Sequence, residues 1–142
     1  VLAAKILGSK YIRIFSFYNE GGVWDDASRA IVVSHLKEYI AYAKEHDVVL
    51  LHENEKDIYG DTAERCLDLM KELACDNFRA VFDPANFVQC KENTLDAWEM
   101  LKPYITYLVG FISLLFSVLF DSIIQNDFTP AIIHCIYYLL YL

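Results

Sequence analysis

No Lys or Arg occurs after Lys102, and no Glu after Glu99. Ahead of that point the basic residues are scattered, and the chain carries a formal net charge of −8 with a sequence pI of about 4.8. No clustered basic run exists to grip a phosphate backbone, which excludes nucleic acid as a partner. The four cysteines, Cys66, Cys75, Cys90 and Cys135, form no CxxC pair, and their spacing matches no common zinc motif. Cys66 falls on an apolar helix face, where a buried thiol is expected. No signal-peptide pattern is recognisable at the N-terminus, so the expected compartment is reducing and cytoplasmic. No internal repeat is visible beyond the alternation of elements described next.

What the chain does contain is a regular alternation. Tyr11-Ile12-Arg13-Ile14-Phe15-Ser16-Phe17 is β-branched and aromatic and reads as a strand, broken by Asn19-Glu20-Gly21-Gly22. From Asp25 to His46 the pattern is helical, with Ile31, Val32, His35 or Leu36, Ile40 and Ala43 on one side and Asp25 or Asp26 as cap. Val48-Val49-Leu50-Leu51 is a short apolar run that suits a strand buried on both faces, and it ends in His52-Glu53-Asn54-Glu55. Asp61-Thr62-Ala63-Glu64 resembles a capping box. The helix it opens places Ala63, Cys66, Leu67, Met70 and Leu73 on one face. Phe78-Arg79-Ala80-Val81-Phe82 is the next strand and ends in Asp83-Pro84-Ala85-Asn86; a further helix spans about Thr94 to Leu101. Strand, helix, strand, helix, strand, helix implies βαβ units and a parallel sheet.

Two strands thus deliver polar clusters at their C-terminal ends, where α/β barrels and open doubly wound sheets both build their sites. A carboxylate directly after a buried strand is costly unless something pairs with it. Two such carboxylates on neighbouring strands repel unless a cation lies between them, and a divalent ion is the simplest candidate. The competing reading is that both are solvated loop residues. His52 has the opposite strand parity to Glu53 and is expected to pack. Lys56 reads as a solvated loop charge.

The stretches "VVLLHENEKDIYGDTAERCLDLMKEL", "FRAVFDPANFVQC" and "AWEMLKPYITY" together resemble the sugar-phosphate isomerase/epimerase group of xylose-isomerase-like TIM barrels, over roughly Leu7 to Tyr107. The resemblance implies an α/β fold, part of a (β/α)8 barrel. It implies a divalent metal, Mn2+, Mg2+, Co2+ or Zn2+, held by Glu, Asp, His and Glu from four strand ends, with Glu53 as first ligand and Asp83 as second. Glu53 would also be the acid/base that moves a proton next to a carbonyl. Asn86 falls where members often have a substrate-contacting His. Arg13 lies near where some members hold polar groups of the substrate, although an ion pair with a loop carboxylate is an equal alternative. Glu55 is expected in the solvent or substrate shell.

After Tyr107 the resemblance stops. Val109 stands where the third ligand, a His, is expected, and no Glu remains for the fourth. A complete barrel needs roughly 250 residues, against 142 here. The expected organisation is a partial barrel of three βα units over 1–107, followed by an apolar, helical tail over 108–142. That tail is read as non-native barrel sequence or as a membrane-associated hairpin. The expected function is a sugar or sugar-phosphate isomerase/epimerase, incomplete or inactive in this chain, that self-associates through exposed barrel edges. The alternative is a non-enzymatic membrane-associated protein with a vestigial barrel segment. Base-excision endonucleases of the same superfamily need further His ligands and a basic groove, which this sequence lacks.

Overall fold

The structure is a computed structural model and describes residues 1–19 and 23–109. The elements run α1 (Leu2–Leu7), β1 (Tyr11–Ile14), α2 (Asp26–Glu45), β2 (Val49–Glu53), α3 (Ala63–Leu73), β3 (Phe78–Phe82), α4 (Pro84–Gln89), α5 (Thr94–Leu101) and β4 (Ile105–Leu108). All strand pairs are parallel, and the sheet order β1-β2-β3-β4 follows the chain. A doubly wound sheet reverses its order at a switch point, whereas a barrel adds each strand beside the last. The sequential order therefore makes this sheet an arc of a barrel wall.

Local signals explain the helices. Asp25 accepts from the Ser28 N–H at 2.8 Å, and the Ser28 hydroxyl in turn accepts from the Asp25 N–H at 2.9 Å, a reciprocal cap that starts α2. The buried stripe of α2 is Val32, Val33, Leu36 and Ala43, while Ile31 is exposed, so the stripe is rotated from the expected one. The cap of α3 is Thr62, whose hydroxyl accepts from the Arg65 N–H. Asp61 pairs with Arg65 instead, so the expected box is displaced by one residue. On α3 the buried face includes Leu69, with Leu67 only partly covered. Arg29 donates from Nε and Nη2 to both Asp68 oxygens, at 2.7 and 2.8 Å, and so ties α2 to α3. The Tyr59 hydroxyl donates to the same carboxylate at 2.8 Å.

Several elements differ from the sequence reading, helix α1 among them, which was not expected. Strand β1 ends at Ile14 rather than Phe17, strand β2 runs on through His52 and Glu53, and Asp83 begins the short helix α4. Strand β4 crosses the expected boundary at 107/108 and pairs with β3, so the compact unit runs from Val1 to Val109. The expected helical tail otherwise lies outside the described residues. Among the described residues no helix is long and apolar enough to cross a membrane.

Period-two alternation sorts the sheet into two faces. Leu50, Phe78, Ala80 and Phe82 join the helices in the main core, together with Leu36, Cys66, Leu69, Met70 and Phe87. Val49, Leu51 and Val81 form a separate cluster on the opposite face, with Val109 packed against them. That second face is the concave, barrel-interior side. Glu53 continues the Val49-Leu51 series, Asp83 follows Val81 by two, and Arg13 pairs in register with Leu51.

Candidate functional site

Register brings the expected pair together. Glu53 lies beside Val81 on the neighbouring strand, and Asp83 is two residues further on. Both are buried, Glu53 at 3 % and Asp83 at 8 % relative exposure, at the C-terminal edge of the sheet. Burial pushes the Glu53 carboxyl above its usual range; Arg13 opposes this, and Asp83 and Glu55 add to it. Burial likewise raises Asp83, against the pull of the Ala85 and Asn86 N–H groups.

Arg13 supplies the nearest positive charge. Its Nη1 lies 2.9 Å from Glu53 Oε2. The contact is an ion pair that lacks the alignment of a hydrogen bond, and Oε2 is buried with no hydrogen-bond partner. Of the two readings open for Arg13, an ion pair with a carboxylate describes this structure, and the carboxylate is the expected ligand itself rather than a loop acid.

Asp83 is held from below by the helix it caps. Its Oδ1 accepts from the Ala85 N–H at 2.8 Å and the Asn86 N–H at 3.4 Å, and Pro84 occupies the first helical position, where a missing N–H costs nothing. The cap uses Oδ1, which leaves Oδ2 outside it.

A residue given no role from the sequence completes the frame. Asn54, 2 % exposed, donates from Nδ2 to the Asp83 carbonyl at 2.8 Å and accepts at Oδ1 from the Asp83 N–H at 2.8 Å. Asn86 then donates from Nδ2 to the Asn54 carbonyl at 2.8 Å and to Glu55 Oε2 at 3.4 Å, and accepts at Oδ1 from Gln89. Asn86 is thus engaged within the protein on both ends of its amide. Glu55 also accepts from the Lys56 N–H at 2.8 Å. The signal that could have identified Asn54 is its position: an amide directly after a buried strand must find partners, and the next strand end offers an unpaired peptide.

His52 turns to the opposite face, as parity requires. It is buried against Phe78, and burial alone lowers its pKa to about 4. Its Nε2 is among the buried atoms without a hydrogen bond. Cys66 is buried, with its thiol directed to the Gly60 carbonyl at 2.9 Å, and burial raises its pKa. Val109 donates its N–H to the Phe82 carbonyl at 3.1 Å and offers no ligand.

Glu53 and Asp83 fit part of a divalent-cation site. Glu53 Oε2 is buried, unbonded and already attracts a positive charge, and Asp83 keeps an oxygen beyond its cap. Among the described residues no cluster of three or more His, Cys, Asp or Glu surrounds them, so the pair is two ligands and not a full set.

A model of the family described as xylose isomerase-like TIM barrel matches residues 1–111. No curated protein matches the chain. Among solved structures, the probable 3-DHS dehydratase AsbF from Bacillus anthracis is similar at a TM-score of 0.68 and 19% identity, over 75% of this chain and 39% of that one. A D-tagatose 3-epimerase-like protein is similar at 0.61 and 20% identity, over 75% and 43% of the two chains. A xylose isomerase-like TIM barrel protein from Mycobacterium smegmatis in complex with magnesium is similar at 0.62 and 16% identity, over 76% and 41%. This chain spans about two-fifths of the length of the structures it matches.

Proposed function

Since the chain belongs to the xylose isomerase-like TIM barrel family, we propose that it carries the first half of a divalent-metal site for proton transfer next to the carbonyl of a small sugar or sugar phosphate. The observation that carries this reading is the burial of Glu53 and Asp83 at the C-terminal ends of the neighbouring strands β2 and β3. Asp83 has a structural use as the cap of α4, but Glu53 Oε2, buried there without a hydrogen bond, is a cost that the fold does not require. The fold also supports a probable dehydratase, so it does not choose the reaction. The choice rests on the carboxylate pair and on the sequence resemblance over roughly Leu7 to Tyr107.

When bound, a Mn2+, Mg2+, Co2+ or Zn2+ ion would be held by Glu53 and Asp83 and would supply polarisation of the substrate carbonyl. Glu53 takes the proton from the carbon beside that carbonyl. Its raised pKa brings it nearer to neutrality, where a carboxylate is a better base. Asp83 is fixed by the α4 cap and by Asn54, and so presents a set geometry without reorganisation. Glu55 would meet the substrate's polar groups, while Asn86, the other residue expected to contact substrate, is held in hydrogen bonds to Asn54, Glu55 and Gln89 and supports the strand ends instead. Arg13, half in solvent, is the cationic group nearest to it.

The described residues provide two of the four ligand positions expected for the family, so little or no turnover is expected from this chain by itself. The test is metal content after equilibration with Mn2+, comparing the parent with Glu53→Ala. A large loss of bound Mn2+ is expected; equal content would remove the support for the site. Turnover of a ketose or its phosphate with added Mn2+ by this chain would overturn the expectation of inactivity.

A further inference from the structure

Glu53 Oε2 faces a conflict that the structure resolves with one side chain. The oxygen is buried without a hydrogen bond, and Asp83 and Glu55 both disfavour its charge. Arg13 is the opposing charge, with Nη1 2.9 Å from this oxygen. The guanidinium is, however, open to solvent. It sits at 2.9 Å without hydrogen-bond alignment, and its side chain is 54% exposed against 3% for Glu53. It comes from β1, a strand at the end of the sheet among the described residues, and its guanidinium carbon also lies 5.6 Å from the Phe15 ring centroid. A cation bound directly to Oε2 needs the space and the lone pair that the guanidinium now faces. Two positive groups cannot share that position without repulsion.

We propose that Arg13 is an exchangeable counter-ion: it neutralises Glu53 in the metal-free chain and is displaced into solvent when a divalent cation binds, so it sets the affinity of the site. This rests on the reading of Glu53 as a metal ligand. Removing a competitor for the ligand oxygen tightens metal binding, whereas removing a static partner that aims the carboxylate weakens it. The sign of the effect therefore separates exchange from simple positioning. Because Arg13 is half-exposed, its hold on Glu53 is moderate, and an effect of about fivefold is expected.

The experiment is a titration with Mn2+, reading free Mn2+ by electron paramagnetic resonance, on the parent, Arg13→Gln, Arg13→Met, Arg13→Lys and Glu53→Gln. Arg13→Gln and Arg13→Met are expected to bind Mn2+ about fivefold more tightly than the parent, and Arg13→Lys, which keeps the competing charge, to stay within about twofold of it. Unchanged or weaker binding in the two neutral variants overturns the exchange while leaving the metal reading intact, provided that Glu53→Gln still loses binding. If neither neutral variant folds by far-ultraviolet circular dichroism, Arg13 is a structural residue and the proposal is overturned. A parent that binds no Mn2+ overturns both the exchange and the metal site.

Discussion

Asn54 brackets Asp83 through the two peptides that flank it: its amide donates to the Asp83 carbonyl and accepts from the Asp83 N–H, each at 2.8 Å. This contact spans the ends of β2 and β3 and fixes the spacing of the carboxylate pair. Asn54→Ala leaves a buried N–H and a buried C=O without partners, and each such loss costs about 1–3 kcal/mol. A fall in urea-unfolding free energy of roughly 2–4 kcal/mol is therefore expected. In the folded variant Mn2+ affinity should drop by about 10–100-fold, as for other residues that orient ligands. A folded Asn54→Ala chain with parental Mn2+ affinity would show that the bracket does not position the site.

Gly60 adopts φ +125°, and a Cβ placed there would lie 2.8 Å from His52 Cε1, inside van der Waals contact. The backbone is unfavourable for any L side chain, and the neighbour is a ring packed in the core. Gly60→Ala is expected to destabilise the chain by about 2 kcal/mol or more. A midpoint in thermal or urea unfolding that stays at the parental value would contradict the close approach.

His52 gives stability a defined pH dependence. Its ordinary pKa of 6.5 falls to about 4 on burial. Between those values the unfolded chain binds a proton that the folded chain refuses. The neutral His therefore costs no stability above pH 6.5 and an increasing amount as pH falls toward 4. The total is on the order of 3 kcal/mol. His52→Leu should flatten this part of the curve, measured as urea-unfolding free energy against pH in the metal-free chain.

Glu53 acts with the opposite sign. Its folded pKa is raised, so it favours folding when protonated, and that contribution is lost as pH rises through the raised value. Above the raised value the metal-free chain carries a buried charge. Glu53→Gln is accordingly expected to raise the urea midpoint at pH 7 while abolishing Mn2+ binding, a trade of function for stability. A Gln variant less stable than the metal-free parent at neutral pH would mean that the pair with Arg13 outweighs the cost of burial.

The strands β1 and β4 end the sheet among the described residues, and Tyr11, Tyr107 and Leu108 on them are exposed. Unpaired strand edges recruit other strands. The chain is expected to sediment as species larger than a monomer, and Tyr107→Lys, which puts a charge on an edge strand, to shift the distribution toward monomer. Identical sedimentation of the two would argue against edge pairing.

Much of this arrangement was legible along the chain because it depends on local order. The βα alternation, the apolar run of β2, the opposite parity of His52 and Glu53, and the burial of Cys66 all follow from side-chain periodicity. Helix α4 was missed, although Asp83 and Pro84 are a good cap and first position, because six residues are too few to show a period. Strand β4 was hidden because Ile105–Leu108 merges with the apolar sequence after it, and a uniform run has no boundary to read. The end of β2 was placed too early because a polar residue reads as a strand terminus, whereas Glu53 pairs in register with Val81.

By itself the sequence determined the type of fold and the two carboxylates at neighbouring strand ends, since period and strand order are properties of the chain. Only the tertiary structure decided what surrounds them. The register that sets Arg13 against Glu53, the bracket from Asn54 to Asp83 and the loss of Asn86 into that network all join residues 29 to 40 positions apart, or an edge strand to its neighbour. No local pattern encodes such pairings. They arise when burial forces each polar group at the strand ends to find a partner among whatever the folded chain has brought within reach.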